Sequence, residues 1–205
     1  MKKAFFWALM LAVSMTACKG GKTENNAATE EKEPAVGLAI DEASFPDAAL
    51  RGVIAQTSAG EDGILTDEEI EDFWQLDVNY KEVKDLKGIE LLPNLQFLMA
   101  NAFQGTSIDV SKNTKLTEIY CCDSPTLTSL TLGEQPELET LNINNTNISN
   151  IDVTQCPKLK TLRIKETPIG AVDLSGCTEL EVIECEAVLM PGLDLSACPK
   201  AGFED

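Results

Sequence analysis

Between residues 138 and 200 one pattern is written three times at a spacing of 21 residues, and this period constrains the fold more than any other feature of the chain. Leu138, Leu159 and Leu180 open the copies. Leu141/Leu162/Ile183, Ile143/Ile164/Cys185, Ile148/Ile169/Met190, Ile151/Val172/Leu193, Val153/Leu174/Leu195 and Cys156/Cys177/Cys198 then recur in step. A unit this short cannot enclose a core of its own, so each copy must share apolar faces and hydrogen bonds with the next. The architecture that does this is a solenoid in which one repeat is one coil. The register extends backwards. Leu116, Ile119 and Cys121 open a coil with one extra residue before Leu130 and Leu132. Leu95, Leu98, Ala100, Ile108 and Val110 make another, and Phe73, Leu76, Val78, Val83 and Leu86 make the earliest and least regular. Six coils are legible between residues 73 and 200.

The spacing L-x-x-L-x-L-x4-L-x-x-L-x-L resembles the short bacterial leucine-rich repeat. That resemblance implies a leucine-rich-repeat solenoid, β-strand-rich with parallel stacked coils, behind a small α-helical amino-terminal cap. It also implies that the strand-bearing face is where a partner docks. Side chains alternate along a strand, so the residues between the inward leucines can be assigned to that face. Phe97, Met99, Tyr120 and Cys122 should form one apolar patch, and Asn142 and Arg163 should continue the surface. Arg163 and Lys165 should lie beside Glu184 and Glu186 across neighbouring strands. The candidate binding residues are therefore Phe97, Met99, Tyr120, Asn142 and Arg163.

Ahead of the repeats the chain changes texture three times. Residues 1–17 read as a leader: Lys2 and Lys3 precede an apolar run too short to span a bilayer as a helix. Met15-Thr16-Ala17-Cys18 resembles a bacterial lipobox, which implies cleavage before Cys18 and lipidation of that residue, with enough acyl chains for stable anchoring. An ordinary signal peptide that happens to end in Cys is the other reading. Residues 18–36 are poor in large apolar side chains and read as a flexible tether. Residues 37–72 read as the cap, and residues 73–205 as the solenoid with a minimal carboxyl-terminal cap in which Phe203 folds over the core. Within the cap, Pro46 suits the first position of a helix reaching about Gln56. Thr66 and Glu69 have capping-box spacing for a second. The cap should cover the first open edge of the strand stack. The run AIDEASFPDAALRG followed by EDGILTDEEI resembles the cap of many lipid-anchored bacterial leucine-rich-repeat proteins.

Charge and residue types narrow the function. Asp and Glu number 34 against 16 Lys and Arg, a formal charge of −18, and the cations are scattered. Phosphate neutralisation needs a basic stripe, so no nucleic-acid partner is expected. The chain contains no His, which removes the commonest general base and metal ligand. Residues 58–69 can be aligned on an EF-hand loop with Asp62, Thr66 and Glu69 at ligand positions. Ser58 and Gly60 stand where calcium normally finds carboxylates, so the loop reads as one that has lost its ion, and no metal or cofactor is expected. Cys156, Cys177 and Cys198 read as small buried thiols in a ladder, since four convergent ligands with C-x-x-C spacing are missing; Cys122 is expected to be exposed. Thr146 and Thr167 hold the place where the family usually has a turn-stabilising Asn, and a Thr hydroxyl can bond local backbone instead. Asp109, Asp152, Asp173 and Asp194 recur at one outward position, read as a solvated edge.

The reading that collects these features is a non-catalytic recognition module for a protein or glycan, anchored by lipid in a bacterial cell envelope at the outer membrane, periplasmic or surface-facing. A structural accessory subunit of an envelope complex and an ion-responsive module built on residues 58–69 are the alternatives.

Overall fold

The computed structural model describes residues 36–57, 59–185 and 193–203. Cys18, Ser58, Glu186 and Met190 fall outside them, as do the leader, nearly all of the tether and the side chain of Phe203.

The amino-terminal elements are β1 (Leu38–Ala39), α1 (Ala48–Ala55), β2 (Ile64–Leu65) and α2 (Asp67–Glu71). β1 and β2 pair antiparallel with each other. Helix α2 starts as its sequence predicts: the Thr66 hydroxyl accepts from Glu69 N–H while the Glu69 carboxylate accepts from Thr66 N–H, a complete capping box. Helix α1 starts two positions later than Pro46 suggests, at Ala48. Pro46 precedes the cap, and Asp47 is the cap residue, its Oδ1 accepting from Leu50 N–H at 2.9 Å. An aspartate carboxylate satisfies an orphan helix donor, which a proline cannot do, so it takes the cap position.

The solenoid follows with β3 (Gln75–Asp77), β4 (Phe97–Met99), β5 (Ser107–Asp109), β6 (Glu118–Tyr120), β7 (Ser129–Thr131), β8 (Thr140–Asn142), β9 (Thr161–Arg163), β10 (Val182–Glu184) and β11 (Gly202–Phe203). Seven of these form one parallel sheet in the order β11-β10-β9-β8-β6-β4-β3, while β5 and β7 pair on their own. The register sets Leu76, Leu98, Ile119, Leu141, Leu162 and Ile183 in one inward column, each at most 1% exposed. The core this column belongs to runs without a break into Phe45, Leu50, Ile54 and Leu65 of the amino-terminal segment. The carboxyl tail departs from its expected role. Gly202 and Phe203 pair with Val182 and Ile183 as a further parallel strand, so the tail extends the sheet rather than only folding over its end.

Three further columns recur from coil to coil, one bonding across coils and two bonding within them. Asn113, Gln135, Cys156, Cys177 and Cys198 share one buried repeat position. Four of the side chains donate to carbonyls of the preceding coil: Asn113 Nδ2 to Ile89 O at 2.8 Å, Gln135 Nε2 to Val110 O at 3.1 Å, Cys177 Sγ to Val153 O at 3.3 Å and Cys198 Sγ to Cys177 O at 3.2 Å. The hydroxyls of the buried Thr146 and Thr167 donate to Ile143 O and Ile164 O, the substitution for Asn that the sequence suggests. The recurrent aspartates do more than solvate an edge. Oδ1 of Asp109, Asp152, Asp173 and Asp194 each accepts the N–H two residues on and closes a turn.

One residue joins the cap to the first coil. While Oδ1 of Asp47 caps α1, its Oδ2 accepts from Lys84 N–H at 3.0 Å and Asp85 N–H at 3.2 Å. Nearby, Gly88 has φ +107, and a Cβ there would lie 2.4 Å from Ser44 O and the Phe45 ring, so the approach of the two parts depends on that glycine. Partial burial works to raise the pKa of Asp47, but the N–H groups of Lys84, Leu50 and Asp85 outweigh it and hold the carboxyl below its ordinary 3.8. A depressed carboxyl stabilises the fold above its unfolded pKa, and that contribution is lost as pH falls through the folded value. Asp47→Ala should therefore cost about 1–2 kcal/mol in urea denaturation at pH 7, and the difference from wild type should shrink as the pH is taken down through 3.8 and below.

Candidate binding surface

The outward face of the seven-stranded sheet carries two rows fixed by strand register. One runs Gln75, Phe97, Glu118, Thr140, Thr161, Val182; the other runs Asp77, Met99, Tyr120, Asn142, Arg163, Glu184. Met99, Tyr120, Asn142 and Arg163 thus stand side by side on four consecutive strands, and Phe97 lies one row over. All five candidate residues are half-buried. Each projects from the middle of a sheet whose other face is core, which is the pleated geometry that gives a surface residue a defined direction.

Polar contacts order this face. The Tyr120 hydroxyl donates to Glu118 Oε2 at 2.8 Å, and burial together with that carboxylate pushes the phenol pKa up, so the ring stays neutral and can donate. Arg163 Nε lies 2.9 Å from Glu184 Oε1, the pairing the sequence suggests. The Nε has no aligned hydrogen-bond acceptor, so the contact is an ion pair rather than a directed bond. Glu184 also reaches Asn144 Nδ2 at 3.5 Å, two strands away.

The apolar patch differs from its expected outline. Glu118, not an apolar residue, stands beside Phe97 in register. Cys122 is half-buried, with Sγ 3.0 Å from Asn101 Oδ1. Its position belongs to a column that alternation assigns to the surface but that also bonds across coils. Asn79 Oδ1 accepts from Asn101 N–H, Asn101 Oδ1 from Cys122 N–H and Asn144 Oδ1 from Lys165 N–H, at 2.9, 3.0 and 2.7 Å. The patch continues instead toward the cap. Trp74, half exposed, meets the Phe97 ring edge-on with centroids 5.5 Å apart at 84°. Trp74 carries no signal in the strand alternation, because it lies just before the strand.

Trp74 also borders a groove of about 910 Å³ between β3 and the turn and helix of the cap. Its walls include Gln56, Thr57, Glu68, Asp72, Gln75, Asp77 and Lys81. The cap therefore closes the core without filling the space along the first strand. Glu69, the last position of the calcium-like loop, also borders this groove, but its carboxylate is engaged by Thr66 N–H and Oγ1.

A family model described as the endo-beta-N-acetylglucosaminidase EndoS LRR domain matches residues 45–169. No curated protein matches the chain. Among solved structures, the functional domain of InlJ from Listeria monocytogenes, described as including a cysteine ladder, superposes with TM-score 0.60 at 22% identity. That likeness covers 82% of this chain and 39% of that one. An internalin C2 from the same organism gives 0.50 at 18% identity, over 82% of this chain and 90% of that one. The chain thus spans about two fifths of the InlJ domain, and at these identities the likeness is one of fold.

The cysteines of the described residues are all free thiols. Burial pushes Cys121, Cys156 and Cys177 up to about 12, and it raises Cys122 too, with Asp123 adding to the effect. A raised thiol pKa lowers the thiolate fraction at neutral pH, and the thiolate is the nucleophile. Alkylation of the folded protein at pH 7 should modify Cys122 first and slowly, with Cys121, Cys156 and Cys177 modified only after unfolding; peptide mapping of a time course checks this order.

Proposed function

We propose, from the premise that the chain belongs to the endo-beta-N-acetylglucosaminidase EndoS LRR domain family, that it is a non-catalytic recognition module holding a macromolecular partner on the outward face of its sheet. The match is to a repeat domain. The observation that carries the reading is the row Met99, Tyr120, Asn142 and Arg163, set in register on four adjacent strands with Phe97 and Trp74 beside it. Tyr, Trp and Arg are the side chains that most often dominate interface energies. Here Tyr120 is held by Glu118, Arg163 by Glu184 and Trp74 by the Phe97 ring, so less rotamer freedom remains to be lost on binding. The chemistry available on this face is stacking, hydrogen bonding and ion pairing, which suits recognition of a protein surface, with a glycan as the alternative ligand.

We further propose that the module works from a bacterial envelope, attached through lipid on Cys18. The support is in the sequence: a basic start, an apolar run and Met15-Thr16-Ala17-Cys18, then a polar tether poor in large apolar side chains. Two acyl-chain signals at one residue anchor stably where a single chain does not.

Each half has its own test. Cys18→Ala should move the protein from the membrane pellet to the soluble fraction, and a variant still firmly sedimenting with membranes would overturn the anchor. For the recognition face, crosslinking in intact cells followed by mass spectrometry identifies what is held. Tyr120→Ala and Arg163→Glu should each weaken that complex roughly 10–100-fold while leaving the melting temperature within a few degrees. Undiminished capture by both variants would remove the sheet face from the account.

A further inference from the structure

Strand β3 is the first of the seven-stranded sheet, and among the described residues it has a hydrogen-bonded neighbour, β4, on one side only. The ladder tells which backbone groups this leaves over. Phe97 N–H donates to Trp74 O, and Val78 N–H donates to Met99 O. Trp74, Leu76 and Val78 are therefore the residues whose peptide groups turn toward β4. Successive residues of an extended strand send those groups to opposite sides, so the N–H and C=O of Gln75 and Asp77 face away from β4. Both residues line the groove of about 910 Å³.

A first strand with a free edge is a template for another strand unless it is covered. Among the described residues the cap does not pair with it; the cap strands β1 and β2 form a separate two-stranded sheet. The wall of the groove carries Glu68, Asp72 and Asp77 against the single cation Lys81, on a chain of formal charge −18. The half-exposed Trp74 also lines the groove, its ring already oriented by the edge-on contact with Phe97.

We propose that this groove docks an extended basic peptide, which adds to β3 as an extra strand. Its backbone would pair with Gln75 and Asp77, its Lys or Arg side chains would meet Asp72, Asp77 and Glu68, and one of them would lie over the Trp74 ring. A segment of about five residues, roughly 17 Å long when extended, fills such an edge. A saccharide could stack on the same ring, but it would leave the strand edge unpaired. The site shares Trp74 with the sheet face but does not require that face to hold a partner, so it stands or falls without that reading.

The test uses the full chain in detergent micelles and an end-blocked heptapeptide of alternating Lys and Val. Titration calorimetry should show saturable binding that weakens with added salt, and hydrogen exchange should show new protection at Gln75 and Asp77. The same peptide N-methylated at alternate residues, in both registers, loses its backbone donors but keeps its charge. It should bind roughly tenfold or more weakly, as loss of two hydrogen bonds implies, and a Glu-Val heptapeptide should bind weaker still. Gln75→Pro removes a donor on the free edge and spares the bonds to β4; it should reduce binding similarly at unchanged melting temperature, whereas Arg163→Glu should not change it. Equal binding of the N-methylated peptides, or protection that appears elsewhere, would overturn strand addition. No binding of the Lys-Val peptide at millimolar concentration would overturn the site altogether.

Discussion

Hydrogen bonding between parallel neighbours at the spacing of adjacent strands, about 4.8 Å, is the constraint on which the rest of this protein depends. It places every residue beside its counterpart one coil on, so whatever is tolerable once must be tolerable as a column. Leucine and isoleucine satisfy that condition by stacking apolar surface, and the inward column from Leu76 to Ile183 does so. Charges do so less readily, because like charges become neighbours. Asp152, Asp173 and Asp194 do stack in this way at an exposed position, each carboxylate bonded into its own turn. The columns that start at Glu137 and Glu139 alternate sign instead. Glu137 and Glu139 are followed by Lys158 and Lys160, with pairs of 2.6 and 2.9 Å, and Glu179 and Glu181 come next, with Lys200 within 3.9 Å of Glu181. Exposed pairs of this kind are each worth little, but repulsion in every coil would oppose stacking.

The buried column that passes from Asn113 through Gln135 to three cysteines follows from the same constraint. An amide gives two donors, and Asn113 and Gln135 spend both on main-chain carbonyls. The amide oxygens, Asn113 Oδ1 and Gln135 Oε1, are left buried without a partner, a cost of roughly 1–3 kcal/mol each in general. A thiol gives a single weak donor and leaves no strong acceptor behind. Cys177 and Cys198 reach carbonyls of the coil before them and orphan nothing of that kind. The ladder of cysteines is thus a packing and hydrogen-bonding device, and its raised pKa values are a consequence of burial rather than a sign of reactivity.

The sheet face and the groove are two products of one stack. Interior strands are paired on both sides and can offer a partner only their side chains. The first strand offers its peptide groups as well, because the cap meets the core through Phe45, Leu50, Ile54 and the Asp47 carboxylate rather than through a strand. Trp74 stands where the two surfaces meet.

The sequence by itself determined the solenoid, its period, its inward leucines, the capping box of Thr66 and Glu69, and the outward order of Met99, Tyr120, Asn142 and Arg163. These are local or periodic properties, and periodicity in a chain becomes adjacency in a stack. What only the tertiary structure decided depends on groups brought together without a repeat to announce them. Asp47 carries no mark of its bonds to Lys84 and Asp85, far along the chain. Tyr80, Ala102, Asp123, Asn145 and Glu166 all take positive φ at the strand ends, although most of these residue types avoid it at a cost of roughly 1–2 kcal/mol. Cross-coil bonds such as Tyr80 N–H to Asn101 O and Ala102 N–H to Cys122 O hold them there, with no glycine to signal the turn. The groove beside β3 is likewise a matter of what the cap fails to fill, and an unfilled volume is written in no single segment of the chain.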